Sequence, residues 1–425
     1  MRWWLPLALD CAKANTGDRK VITALQLTSS SVNPLSKLRQ YPPAVLATAL
    51  ATFMAFLGIG VVDPVLPTIA SSMGASHFMV ELLFTSYLLV MAAAMFISGA
   101  LATRIGSKNT LVIGLGLVAI FAGLCGFAPS VEALALLRGG WGLGNALFTA
   151  TALAIIVGSS AGRTAGAITL FEASLGLGIA TGPLIGGFLG SQSWRFPFFG
   201  TALLTTIGFV LAIVAIPESG GADRDQSIAD VLKAFRHTGV RTNAVVGLLY
   251  SVGFFAVLAY APLVLGLSAT NLGLTFFAWG TLVAIFSIVV APGLTARFGA
   301  VATLFGDLVG FAVLLAAMSL VSGPALVAGV IISGTFCGVA NATLTTLAME
   351  VSTHPRPVSS AAFNSLRFAG AAIAPISAGY IGSNYGATIP FLIGAVIVVV
   401  GSVGLFWKRE VMNIGLSAST PNSAD

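Results

Sequence analysis

The chain has 425 residues, of which 57% are hydrophobic and 8% charged, with a mean hydropathy of +0.98. Soluble domains carry about 25% charged residues because water must wet their surface, so the deficit excludes a soluble enzyme, a nucleic-acid binder and a disordered scaffold. The net charge of +6 has to be read by position rather than as a ligand signal.

The first 42 residues show no regular pattern. MRWWLPLAL is too short to span a bilayer and no small-residue cleavage site follows it, so 1–42 reads as a disordered cytoplasmic tail. A bilayer core takes about 20 apolar residues per helix. Residues 43–217 supply six such segments, near 44–69, 78–102, 109–128, 131–157, 164–189 and 198–217. A polar linker, 218–242, follows. In it Ile228, Val231, Leu232 and Phe235 recur at helical spacing behind a Ser227/Asp230 start signal, which predicts a short amphipathic helix on the membrane surface. Residues 243–407 supply six more segments, near 243–266, 271–296, 301–322, 324–349, 358–382 and 387–407, and 408–425 form a second tail. The expected fold is an all-α polytopic membrane protein with twelve transmembrane helices in two pseudo-symmetric six-helix bundles.

Basic residues set the orientation. The tail carries Arg2, Lys13, Arg19, Lys20, Lys37 and Arg39. Alternate loops carry Arg104 and Lys108, Arg163, then Arg224, Lys233, Arg236 and Arg241, then Arg297, Arg356, and Lys408 with Arg409. The opposite loops carry only Arg195. Both termini are therefore expected in the cytoplasm, with the chain in a cell membrane such as a bacterial inner membrane. Cys11, Cys125 and Cys337 and the histidines His77, His237 and His354 are scattered without metal-ligand spacing, so neither a metal nor a cofactor is expected.

The two halves repeat each other. LATRIG (101–106) returns as LTARFG (294–299), and GLGNALFT (142–149) as GVANATLT (338–345). Gly178, Pro183 and Gly187 return as Gly370, Pro375 and Gly379, all at a near-constant offset of 192–196 residues. Such a duplication places a pathway between two bundles, with binding near the midplane.

These motifs resemble the major facilitator superfamily over 44–407. GALATRIGSK (99–108) is similar to its loop signature, with Gly99, Arg104 and Gly106 in place and Thr103 where an acid is usual. Arg297 and Gly299 are the repeat counterparts of Arg104 and Gly106. LLRGGWGLGNA (136–146) resembles the Arg-bearing fourth-helix signature, with Trp141 in place of a usual Gln. GIATGPLIGG (178–187) looks like the fifth-helix motif of drug–proton antiporters, with Gly178, Gly182, Pro183, Gly186 and Gly187 matching. The resemblance implies a secondary transporter rather than an enzyme, working as a monomer on a small-molecule substrate and protons, with Arg104 and Gly106 in an inward-side latch.

An ionised group in the hydrocarbon costs about 2.5–3.5 kcal/mol, so each one needs a reason. Asp63, the single acid of the first span, can bind and release a proton once withdrawn from water; the alternative is an acid wetted at the outer helix end. Glu172 either points into the cavity or snorkels to the cytoplasmic side. Glu81 and Asp307, close to helix starts, read as wetted end residues. Arg138, Trp141, Asn145 and Thr149 share one helical face, matched by Asn341 and Thr345 in the repeat. Those faces are the expected cavity lining, with Arg138 a partner for Asp63 or Glu172; interhelical hydrogen bonding without ligand contact is the alternative. Tyr260 belongs to an aromatic group with Tyr250, Phe254, Phe255, Phe276, Phe277 and Trp279 that is either packed, lipid-facing or a binding wall. The reading that follows is proton-coupled efflux of drug-like or amphiphilic molecules, with a symporter or facilitator for a small metabolite as the alternative.

Overall fold

A computed structural model describes residues 40–161, 163–218, 232–351 and 356–413. The tail before Gln40, residues 219–231 of the linker with the start of its expected amphipathic helix, and the end of the chain lie outside the described residues. Among the described residues twelve long helices run from Pro43 to Trp407. In the first half these are α1 (Pro43–Met73), α2 (His77–Ile105), α3 (Ser107–Cys125), α4 (Val131–Gly158), α5 (Thr164–Gly190) and α6 (Phe196–Ala215). In the second they are α7 (Thr238–Val264), α8 (Ala269–Phe298), α9 (Ala300–Met318), α10 (Pro324–Glu350), α11 (Arg356–Tyr385) and α12 (Ile389–Trp407). At 1.5 Å per residue, the 28 residues of α4 reach roughly 42 Å, more than a bilayer's hydrocarbon thickness.

Local chemistry sets the helix ends. Ser76, Ser130 and Ser268 cap α2, α4 and α8 by accepting hydrogen bonds from the backbone N–H of Met79, Ala133 and Asn271. Gly106 alone joins α2 to α3 and Gly299 alone joins α8 to α9, at φ 87° and 83°. Backbone of that sign strains any residue with a Cβ, which gives both repeat glycines their reason.

Among the described residues eleven of the helices are long and apolar enough to cross a membrane. The exception is α11, whose middle carries Asn364, Ser365 and Arg367. Its neighbours on both sides are protein helices, so this polarity faces protein rather than lipid.

The packing has an internal two-fold. In the first half α1 packs on α5 and α6, α2 on α4, and α3 on α4 and α6. In the second, α7 packs on α11 and α12, α8 on α10, and α9 on α10 and α12. Adding six to each helix number turns one pattern into the other. The halves meet through α2 with α11 and α5 with α8, a pair that the same operation exchanges. Large apolar side chains such as Leu136, Val214, Leu320 and Trp407 stand fully outward, as contact with lipid requires.

The first helix of each half is broken at corresponding levels. In α1 the segment Asp63–Val65 is a 3-10 turn, since Pro64 and Pro67 offer no N–H for regular α-helical bonding. In α7 the segment Ala256–Tyr260 is π-helical and is followed by Pro262. These breaks set the geometry of the site.

Candidate functional site

The broken segment of α1 holds Asp63 in the interior, fully buried, with neither carboxylate oxygen hydrogen-bonded among the described residues. Glu81, on the second turn of α2, is equally buried and also has no hydrogen bond to either oxygen. The two carboxylates lie within electrostatic reach of each other. The expectation of a wetted Glu81 therefore fails. Its helix starts at the membrane edge, but the second half of the molecule covers it: α2 packs on α11, and Tyr260 of α7 is close enough to feel the Glu81 charge.

Arg138 supplies the positive charge. It is fully buried on α4 and lies 4.5 Å from the Tyr87 ring and 4.6 Å from the Trp141 ring, with Phe84 at 5.8 Å. Its Nε donates to the Leu83 carbonyl at 3.3 Å, while both terminal nitrogens have no hydrogen-bond acceptor among the described residues. Asp63 feels this charge without a direct ion pair. Stacking on aromatic faces offsets part of the desolvation of a buried guanidinium. Two acids and one base thus share one dry region of the first half.

The shared face of α4 packs rather than opening on a cavity. Trp141 is buried edge-on to Tyr87 and Phe198. Asn145 is buried and donates from Nδ2 to the Tyr87 hydroxyl. Thr149, one turn nearer the end of α4, is half-buried, as are Asn341 and Thr345 on α10. In the second half Arg367 of α11 donates to Asn341 Oδ1 at 2.8 Å and lies about 6 Å from the rings of Phe363 and Phe368. Asn145 and Asn341 are repeat counterparts; one binds a tyrosine and the other an arginine. Tyr250 and Asn243 donate to the carbonyls of Cys337 and Leu344, and Trp279 donates to Ser333. The aromatic group of α7 and α8 is mostly interior: Tyr250, Phe254, Phe255, Tyr260, Phe276 and Trp279 are buried.

Contacts between the halves gather at the end where α1 finishes and α2 begins. Thr85 donates to the Ala372 carbonyl at 2.9 Å, Phe84 meets Phe255, and Phe78 meets Tyr380. Within the second half, Tyr260 donates to the Ala387 carbonyl at 3.0 Å.

The glycines of α5 lie at two backbone contacts. A Cβ on Gly178 or Gly182 would fall 2.5 Å from the carbonyl oxygens of Phe53 or Leu57 in α1, and one on Gly186 would strike Val61. One on Gly187 would fall 2.5 Å from the Ala269 carbonyl of α8, in the other half. Pro183 touches both partners, through its ring at Gly60 and its carbonyl at Gly273. A single helix therefore couples the broken α1 to the opposite half. At the other end of the bundle Arg104 and Arg297 are exposed, next to the Gly106 and Gly299 turns. Gly99 lies within α2 and Glu172 within α5; the side chain of Glu172 lies outside the described residues.

Comparison with known proteins agrees with this arrangement. Residues 48–375 match the family described as Major Facilitator Superfamily. The chain is 43% identical to the multidrug efflux protein YfmO of Bacillus subtilis (strain 168), over 90% of this chain and 97% of that one. It is 32% identical to the multidrug resistance protein Stp of Mycobacterium tuberculosis, over 41% of this chain and 33% of that protein. Among solved structures, a D-xylose–proton symporter superposes with a TM-score of 0.72 at 15% identity, covering 86% of this chain and 97% of that chain; at that identity the likeness shows the fold alone. A twelve-helix bundle with an internal two-fold and a buried ionisable cluster defines a polytopic transporter, not an enzyme. The chain belongs to the major facilitator superfamily.

Proposed function

We propose that this chain is a proton-driven exporter of drug-like or amphiphilic small molecules, working by alternating access between the halves 43–217 and 243–407. The observation that carries the coupling is the buried triad of Asp63, Glu81 and Arg138. With all three ionised the cluster bears a net charge of −1, and one added proton makes it neutral. A charge left uncompensated in low dielectric is costly, so the closed end favours the protonated cluster. Parting the halves at α2 and α11 would wet Glu81 and open the cluster to a proton from the outer side, which leaves to the cytoplasmic side once that end has closed again. Glu172, on the helix that joins α1 to α8, is a further coupling carboxylate, and Arg138 holds Asp63 in reach.

Thr149, Asn341 and Thr345, half-buried on the facing helices α4 and α10, line the substrate path in this reading. Trp141, Asn145 and Tyr260 enter it only when the halves move. With the basic loops in the cytoplasm the closed end is the outer one, and the protein works as a monomer in a bacterial inner membrane. The identity to an efflux protein along almost the whole chain supports export over uptake of a metabolite.

The reading is tested in inside-out vesicles from cells expressing the protein. Acidifying the lumen should drive ethidium inward, and nigericin should abolish the uptake. Uptake that persists without a pH gradient would contradict proton-driven export.

A further inference from the structure

Outside the ionisable cluster, the second half holds an apolar groove at a place that backbone packing fills in the first half. Helices α8, α9 and α10 enclose a groove of about 420 Å³ lined by Phe286, Val290, Phe336 and other apolar side chains. Among its lining residues Asp307 is the one charged group. Exposed Phe298 and half-buried Thr335 form part of its lining and Ile332 and Val289 stand nearby, so it opens outward to lipid. The π-helical segment Phe286–Val290 supplies one wall, and such segments recur at functional sites.

The first half closes the equivalent place. Gly114, the counterpart of Asp307, packs directly on Gly144 and Phe148 of α4. Thr110, the counterpart of Thr303, donates its hydroxyl to the Gly106 carbonyl at 2.9 Å. In the second half Thr303 is 7% exposed, lines the groove and has no partner for its hydroxyl among the described residues. Asp307 Oδ2 is likewise buried and unpartnered. Two polar groups have thus been turned into an apolar groove without protein partners, a costly arrangement unless something pairs with them.

We propose that this groove binds a lipophilic organic cation arriving from the bilayer, with the Asp307 carboxylate as its counter-charge and the phenyl groups of Phe286 and Phe336 as its apolar bed. Depth selects this occupant over a lipid headgroup amine. Asp307 is the eighth residue after Gly299 at the helix end, which puts it roughly 12 Å into the span. A zwitterionic lipid would have to drag its phosphate to that depth, whereas a delocalised cation carries no anionic group with it. Cation–π contact with phenyl faces adds to the ion pair.

The site is read by binding, so the test does not depend on the direction or coupling of transport. The full chain, with Cys11→Ser and Thr335→Cys, is labelled at 335 with an environment-sensitive fluorophore in phosphatidylglycerol nanodiscs; Cys125 and Cys337 are buried. Titration with tetraphenylphosphonium should give a saturable signal, weakened about tenfold or more by Asp307→Asn, the scale of one lost close charge pair. Gly306→Phe fills the groove from a position where a Cβ meets nothing within 4 Å, and it should abolish the signal. If Asp307→Asn fails to fold, Gly306→Phe decides. An unchanged titration in a folded variant overturns the proposal. So does an equal response to neutral triphenylphosphine oxide, or a signal produced by phosphatidylethanolamine in the disc without any added cation.

Discussion

Asp63 and Glu81 show what a sequence can and cannot reveal about a buried acid. Asp63 is legible because it is the single acid in a long apolar span, beside two prolines that break the helix around it. Glu81 stands five residues from the start of α2, where local pattern speaks for water. It is dry because Tyr260 and α11 close over it from far along the chain, and no local signal reports that contact. Its own helical face does turn to the other half, since Phe84 and Thr85 at i+3 and i+4 both touch it, but only the structure shows this. Asp307 was misread for a related reason: eight residues into α9 it is too deep to be wetted at a helix end, and a groove takes it up instead. Asp63→Asn is expected to keep folding and substrate binding but to lose pH-driven transport; normal transport against a gradient would pass the role to Glu81 or Glu172. Removing the shared base has a different consequence. Arg138→Met leaves two buried acids without their positive neighbour, and breaking a buried charge arrangement costs about 3–5 kcal/mol. A melting temperature several degrees lower in detergent is expected, and an unchanged one would show that the guanidinium does not hold the cluster together.

At the scale of elements, α5 carries the most specific motif and the tightest contacts. The spacing of Gly178, Gly182 and Gly186 signals close helix packing in the sequence. Which helix they meet is not in the spacing; the structure sends them to α1 and sends Gly187 across to α8. Gly182→Leu should insert normally, because an apolar side chain suits lipid, and should lose transport because the backbones can no longer approach. Gly293→Leu, at a position where a Cβ meets nothing within 4 Å, is the control and should transport normally. Equal activity in the two variants would remove α5 from the moving contact. The duplicated Gly106 and Gly299 were legible, but the spans read from hydropathy left 103–108 and 297–300 as loops where a single glycine of positive φ makes each turn.

For the whole molecule, hydropathy and the duplicated motifs were enough to give twelve helices in two halves, because a bilayer allows a backbone few alternatives. The weakest span in the sequence, α11, is the one whose polar middle faces protein. The pairing of α2 with α11 and of α5 with α8 was not legible, since contacts between the halves leave no periodic trace. Reporter fusions at Asn109 and at residue 225 should both read as cytoplasmic, and a periplasmic signal at either would invert the orientation assigned by the basic loops. The central claim is exchange of substrate for protons in opposite directions, and one measurement addresses it directly. Purified protein is reconstituted into liposomes holding a pH-sensitive dye, with no pH gradient imposed, and a lipophilic cation such as ethidium is added outside. Substrate running inward through an exchanger must drive protons outward, so the lumen should turn alkaline, and Asp63→Asn should abolish the change. Acidification of the lumen would mean that substrate and protons travel together, and would contradict the account.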